Sequence, residues 1–313
     1  MDVPDEVEAM VHCRWREEHG YTIHQEPIHG IAVHRGGKPL VATASWDHTC
    51  LIFDIEKNKV VHQLGGHEQG LYAVQFAPTA TREDLLGTVS SDMTCRLWDC
   101  TSGKELAALE GHSGEVNGLS FSETDLIATA SDDHTAMIWD VGTQKAVQVL
   151  RGHDKEVYGI CFHPLGRLVA TVSFDMTTRL WDPRSGQMIS KLAGHTDDVI
   201  GVDIDATGSL LATGSDDTTC WLWDTRTWKN LAVLKSHSGE VKRVHFSPYG
   251  RMLATTSGDA TVRIFDTRTF EFITVLKGHT DHVFDAAWSP TCDFIATGSH
   301  DRTWKLWKPE RSG

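Results

Sequence analysis

No apolar run in this chain of 313 residues approaches the ~20 residues of a membrane span. Cysteine is sparse and odd in number, seven residues without a Cys-x-x-Cys pair. That excludes a disulfide framework and a zinc knuckle, and it points to a reducing compartment. We expect a cytoplasmic setting, with nuclear and ciliary settings left open. Met1 to Met10 holds acidic residues and no basic one. It therefore lacks both the positive n-region and the apolar h-region of a signal peptide. Basic residues are the minority, 29 Lys and Arg against 43 Asp and Glu, for a net charge of −14. Such a chain is unsuited to gripping a phosphate backbone directly. Hydrophobic residues reach 40%, enough for a large core, so disorder is excluded for most of the length.

Tryptophan and histidine, by contrast, are plentiful, at 11 and 18 residues. A repeat accounts for many of them. Gly-His recurs at His67, His112, His153, His195 and His279, and Ser236-His237 is a variant. The histidines are spaced 45, 41, 42, 42 and 42 residues apart, and His24 stands 43 before the first. Each unit also carries Ser-x-Asp-x-Thr, with the Asp at 47, 92, 133, 175, 217, 259 and 301. Six residues past each Asp stands an aromatic: Phe53, Trp98, Trp139, Trp181, Trp223, Phe265 or Trp307. Within a unit, polarity alternates with period two in four short runs separated by turn residues. Length alone suggests two domains. Seven units of four strands predict one all-β domain instead, a seven-bladed β-propeller of four-stranded antiparallel blades.

The Gly-His and Trp-Asp markers resemble the WD-repeat β-propeller family over residues 11–308. That resemblance implies one hydrogen-bonded cluster of His, Ser, Asp and Trp per blade. The complete sets are His67/Asp92/Trp98, His112/Asp133/Trp139, His153/Asp175/Trp181, His195/Asp217/Trp223 and His279/Asp301/Trp307, each with its serine. Phe53 and Phe265 lack an N–H, so those two networks should end at the serine. A hydrolase triad is the wrong reading, because a triad occurs once in a cleft and this set recurs in every unit. The last unit stops soon after Trp307 and lacks an outer strand. Residues 11–21, with Val11, Trp15 and Tyr21, should supply it and close the ring. Residues 1–10 are expected to be a flexible acidic tail, and 309–313 a C-terminal tail.

The resemblance also implies docking on the narrow top face, around the channel mouth. The third and fifth residues after each histidine, and the residue before each turn Asp, should face it. Trp46, Tyr72, Tyr158, Phe174 and Phe284 form an aromatic set there, with His300 beside them. Glu115, Asp132, Glu156, Asp198, Asp216 and Glu240 make blades three to six acidic, and Lys242 is the lone firm cation. This pattern suits a basic or Arg-bearing segment of another protein. The expected role is a non-catalytic interaction scaffold within a multiprotein complex, with no cofactor, no metal and no membrane partner. An alternative is substrate reception for a cullin-4 type ubiquitin ligase. It rests on the Trp-Asp-x-Arg sequences ending in Arg184 and Arg226, with Phe265-Asp266-Thr267-Arg268 as a near match. A lengthened segment in the second unit, Pro78 to Asp84, is a further candidate contact.

Overall fold

The computed structural model describes residues 3–78, 82–235 and 237–310. Among them the chain forms seven four-stranded antiparallel sheets. The first blade runs β2 (Ile28–Val33), β3 (Leu40–Ser45), β4 (Thr49–Asp54) and β5 (Lys59–Gly65). Five more blades repeat that order, each beginning shortly after its Gly-His or Ser-His marker. In every first strand the register slips once, as between Ile28 and Gly30 or between Val157 and Gly159. Such a bulge re-aims the inserted side chain. Here it is the fifth residue after the blade histidine, one of the positions expected at the mouth.

The core lies between blades. Blade one contributes Ala42, Cys50, Ile52 and Leu64 to a cluster with Leu71, Val74, Phe76, Leu86 and Trp98 of blade two. Cys50, Cys95 and Cys220, each three residues after its turn Asp, are buried strand residues. Burial pushes each of these thiols well above the ordinary range.

The ring closes as the sequence predicts. β1 (Trp15–Thr22) pairs antiparallel with β28 (Thr303–Pro309), from Trp15 opposite Pro309 to Thr22 opposite Thr303. Tyr21 stacks on Trp304 at 4.3 Å, and Trp304 meets Phe53 of blade one at 5.2 Å. A tryptophan thus fills the blade seven–blade one seam where other blades carry Cys, Ala, Thr or Val.

The N-terminal tail is a correction. Residues 5–10 form a short helix, α1 (Asp5–Met10), with Val7 and Met10 buried against Trp15, Ile264 and Trp288. Glu8 accepts from Arg251 Nε at 2.8 Å and pairs with Arg268 Nη1 at 2.8 Å. The acidic composition that reads as a tail is used here to dock on two arginines. At the other end, Pro309 belongs to β28, Glu310 N–H donates to Arg14 O, and residues 311–313 lie outside the described residues. The lengthened segment of blade two includes residues 79–81, which also lie outside them. Its described end is tied down: Arg82 Nε meets Asp125 at 3.1 Å, and Glu83 O accepts from His34 Nε2 at 2.9 Å. No helix among the described residues is long and apolar enough to cross a membrane.

Candidate functional site

The repeated cluster holds the loops that carry the mouth. In blade four, His153 Nδ1 donates to Asp175 Oδ2 at 2.8 Å. Thr171 Oγ1 lies 2.8 Å from His153 Nε2, and Trp181 Nε1 donates to the same Oγ1 at 2.8 Å. The indole can only donate and the carboxylate can only accept. Nδ1 therefore carries a proton, and in the neutral His153 that burial favours, Nε2 is left to accept from the threonine hydroxyl. The same relay joins His67, Thr88, Asp92 and Trp98. It joins His112, Thr129, Asp133 and Trp139. It recurs with His195, Thr213, Asp217 and Trp223, and with His279, Thr297, Asp301 and Trp307.

The expected serine link to the indole is thus corrected: threonine, two residues earlier, makes it. Ser173 instead accepts from Asp175 N–H and donates to Lys155 O, pinning the turn to the preceding loop. The two blades with phenylalanine end at Thr43 and Thr255, not at the serine. Burial alone would raise the turn carboxyls, but bonds from His24 and Thr49 hold Asp47 down at about 2. Asp259 is held at about 2 by Thr261 and His237 in the same way. In the five sets with an indole the threonine oxygen is shared between imidazole and tryptophan, and in the other two the imidazole is its ring partner.

A second cluster has the composition of a metal centre. His34, Asp84 and Cys100 place possible ligand atoms within 4.8 Å of one another. His34 Nδ1, however, accepts from Gly36 N–H, and its Nε2–H goes to Glu83 O. Asp84 is engaged by Lys38. Burial raises Cys100 to about 11, so it is a thiol at neutral pH. No free lone pair on His34 remains, and the donors do not fit a metal.

At the mouth, the predicted aromatic residues are brought together. Tyr158 stacks on Phe174 at 5.5 Å and meets Tyr72 edge-on at 6.3 Å. Tyr72 meets Trp46 at 6.2 Å, and Trp46 stacks on His29 at 4.9 Å. His29 stacks on Phe284 at 3.9 Å, and Phe284 lies 6.0 Å from His300. The result is one continuous aromatic arc, with Trp46 45% exposed. Burial in this arc lowers His29 to about 3, so it is neutral.

The acidic positions take the other part of the rim. Glu115 marks the junction, accepting from Tyr72 Oη at 2.6 Å and Ser91 Oγ at 3.1 Å. Asp132 accepts from Asn117 at 2.6 Å. Burial, then the charges of Glu115 and Glu156, raise the Asp132 carboxyl. Burial also raises Asp198, with Asp197 and Glu156 adding to it. Asp216 is raised by burial and by Glu240, Asp198 and Asp197, against the pull of Lys242. Lys242 Nζ lies 3.6 Å from Asp216 and 3.9 Å from Glu240, too far to hydrogen-bond either. Asp216 Oδ1 is buried without a hydrogen bond. This arc holds more negative charge than Lys242 and Lys155 compensate.

Sequence reasoning missed Arg243, which sits beneath the mouth and faces Tyr158. The signal was available in the repeat, since five other blades carry Gly30, Ala73, Gly118, Gly159 and Gly201 at that position. On the far side of the ring, Asp182 and Asp224 accept from the backbone N–H groups of Arg184 and Arg226. The Arg226 side chain is 83% exposed, 3.3 Å from Asp224. Arg268, in the near-match sequence, is taken by Glu8.

Comparison with curated proteins finds no matching relative. The family described as WD domain, G-beta repeat matches residues 15–54, 58–99, 103–140, 144–182, 186–224, 228–266 and 270–308. Each match ends at or beside the third-strand aromatic of one blade, and together they cover most of the chain. With seven such matches on seven four-stranded blades, the chain belongs to the WD40 repeat family.

Proposed function

We propose that this propeller is a non-catalytic scaffold that docks other proteins on its top face through basic or Arg-bearing segments. The observation that carries this reading is the divided mouth. An aromatic arc, Phe174 to His300, offers stacking surface, while the acidic arc crowds like charges and holds the carboxyls of Asp132, Asp198 and Asp216 at raised pKa. A cationic partner would relieve that repulsion and make cation–π contacts along the arc. The rim aromatics and acids of the site take the roles of anchors and charge partners.

The test is affinity purification of the whole protein with mass spectrometry, repeated with Tyr158→Ala/Phe174→Ala. Peptides from the captured proteins are then titrated with each Arg changed to Glu. Capture lost in the double variant, together with peptide binding abolished by charge reversal, supports the reading. Capture and binding that ignore both changes overturn it.

A second reading uses the opposite face, where the Arg226 side chain is exposed. There Arg184 and Arg226 would contact the adaptor of a cullin-4 type ligase. Adaptor pull-down lost in Arg184→Ala/Arg226→Ala supports it, and pull-down unchanged in that variant removes it.

A further inference from the structure

The first strands of the seven blades line the central channel. At the sixth residue after the blade histidine they come close together. A Cβ added at Gly30 would lie 2.8 Å from Ala73 Cα, and one at Gly159 would lie 2.7 Å from Ile200 O. Two residues break the small-residue pattern at this waist, Asp285 and Arg243. Asp285 is spent on the wall, accepting from Ile31 N–H at 3.0 Å and from His245 Nε2 at 2.7 Å.

Arg243 reaches across from blade six. Its Nη1 donates to Ile200 O of blade five at 2.9 Å, and its Nη2 donates to Asn117 O of blade three at 3.3 Å. Its guanidinium carbon lies 4.8 Å from the centre of the Tyr158 ring of blade four. Two main-chain carbonyls and an aromatic face are the complement of a planar, multiply donating cation. A compact ammonium cannot reach both carbonyls and stack at once.

We propose that this waist is an arginine socket, filled by the protein's own Arg243, and that Arg243 thereby sets the specificity of the mouth. A partner's cation lies along the acidic arc because the channel entrance is already taken. The second statement rests on the docking reading above, whereas the socket does not.

The experiment empties the socket and refills it. Arg243→Ala and Arg243→Gly place at blade six the residues that Ala73 and Gly30 place in blades two and one. Acetyl-arginine amide and acetyl-lysine amide are titrated into each variant and the parent protein, by calorimetry and by thermal melting. The variants should bind the arginine probe one to one, roughly tenfold more tightly than the lysine probe, and melt higher in its presence. The parent should respond to neither. If a variant does not fold alone, recovery of its circular dichroism by the arginine probe alone is the same positive result. No binding and no recovery in either variant overturns the socket, as does an equal response of the parent. Failure of top-face docking would leave these outcomes unchanged, because the probe is not a partner.

Discussion

Phe174 and Asp175 are neighbours in the chain and belong to different regions of the molecule. Asp175 has a counterpart Asp in every blade, each held by a histidine and a turn threonine. The counterparts of Phe174 are Trp46, Ser91, Asp132, Asp216, Gly258 and His300, and no two blades with an aromatic there share the same one. The lower region satisfies itself: carboxylate, imidazole, hydroxyl and indole use one another's hydrogen-bonding capacity. The upper region does not, with Asp216 Oδ1 unbonded and like charges crowded along one arc. Repetition marks what builds the ring. Its absence, on loops the repeat holds in place, is where the proposed partner would find its contacts.

The largest effect should come from the unrepeated segment that the ring nonetheless requires. Deleting residues 1–22 removes β1, leaves the β28 edge unpaired and takes Tyr21 from Trp304. We expect a fall in melting temperature on the order of 10 °C, or loss of a cooperative transition. An unchanged melt would mean that closure does not depend on this strand.

The neighbouring pair itself gives the next contrast. Asp175→Ala strands His153 Nδ1 and the turn N–H groups of Asp154 and Thr177, all of which the carboxylate now accepts. The cost should be about 3–5 kcal/mol, read by chemical denaturation. Phe174→Ala loses one half-exposed stacking contact with Tyr158, about 0.5–1.5 kcal/mol. Similar costs for the two would erase the distinction between the regions.

The sequence carried these regions unequally. Strand order and closure are legible because the period is short and recurs seven times. The threonine link was equally repeated, at Thr43, Thr88, Thr129, Thr171, Thr213, Thr255 and Thr297. It was missed because it sits within a strand, where alternation alone makes it look like filler. Only the pairing of the second and third strands brings it under the indole. The mouth residues were legible as positions, and the contacts that join them into one arc were not. Arg243 required comparing first strands across blades beyond the bulge. The six residues of α1 are too short for a helical period, and their charge pattern copies that of a disordered end.

Acid separates the regions by the sign of their response, and the effect at the mouth should be the smallest of those considered. In the network, burial lowers His153, His195 and His237, with their aspartate partners pulling the other way. The turn carboxyls lie below their ordinary range, Asp47 and Asp259 at about 2. Each group takes a proton more readily in the unfolded chain, so stability is lost as pH falls below 6.5 and further below 3.8. Asp132, Asp198 and Asp216 run the other way, since burial and like charges make their ionised forms unfavourable in the folded ring. Protonating them stabilises the fold. The variant Asp132→Asn/Asp198→Asn/Asp216→Asn should therefore be more stable than the parent at pH 7, by about 1 kcal/mol at most given their exposure. Melting curves from pH 7 to 4 should show both proteins weakening and the gap between them closing. A gap that persists unchanged to pH 4 would assign the gain to packing instead of charge. If the same variant captures less partner while melting higher, the acidic arc is kept at the expense of the ring that carries it.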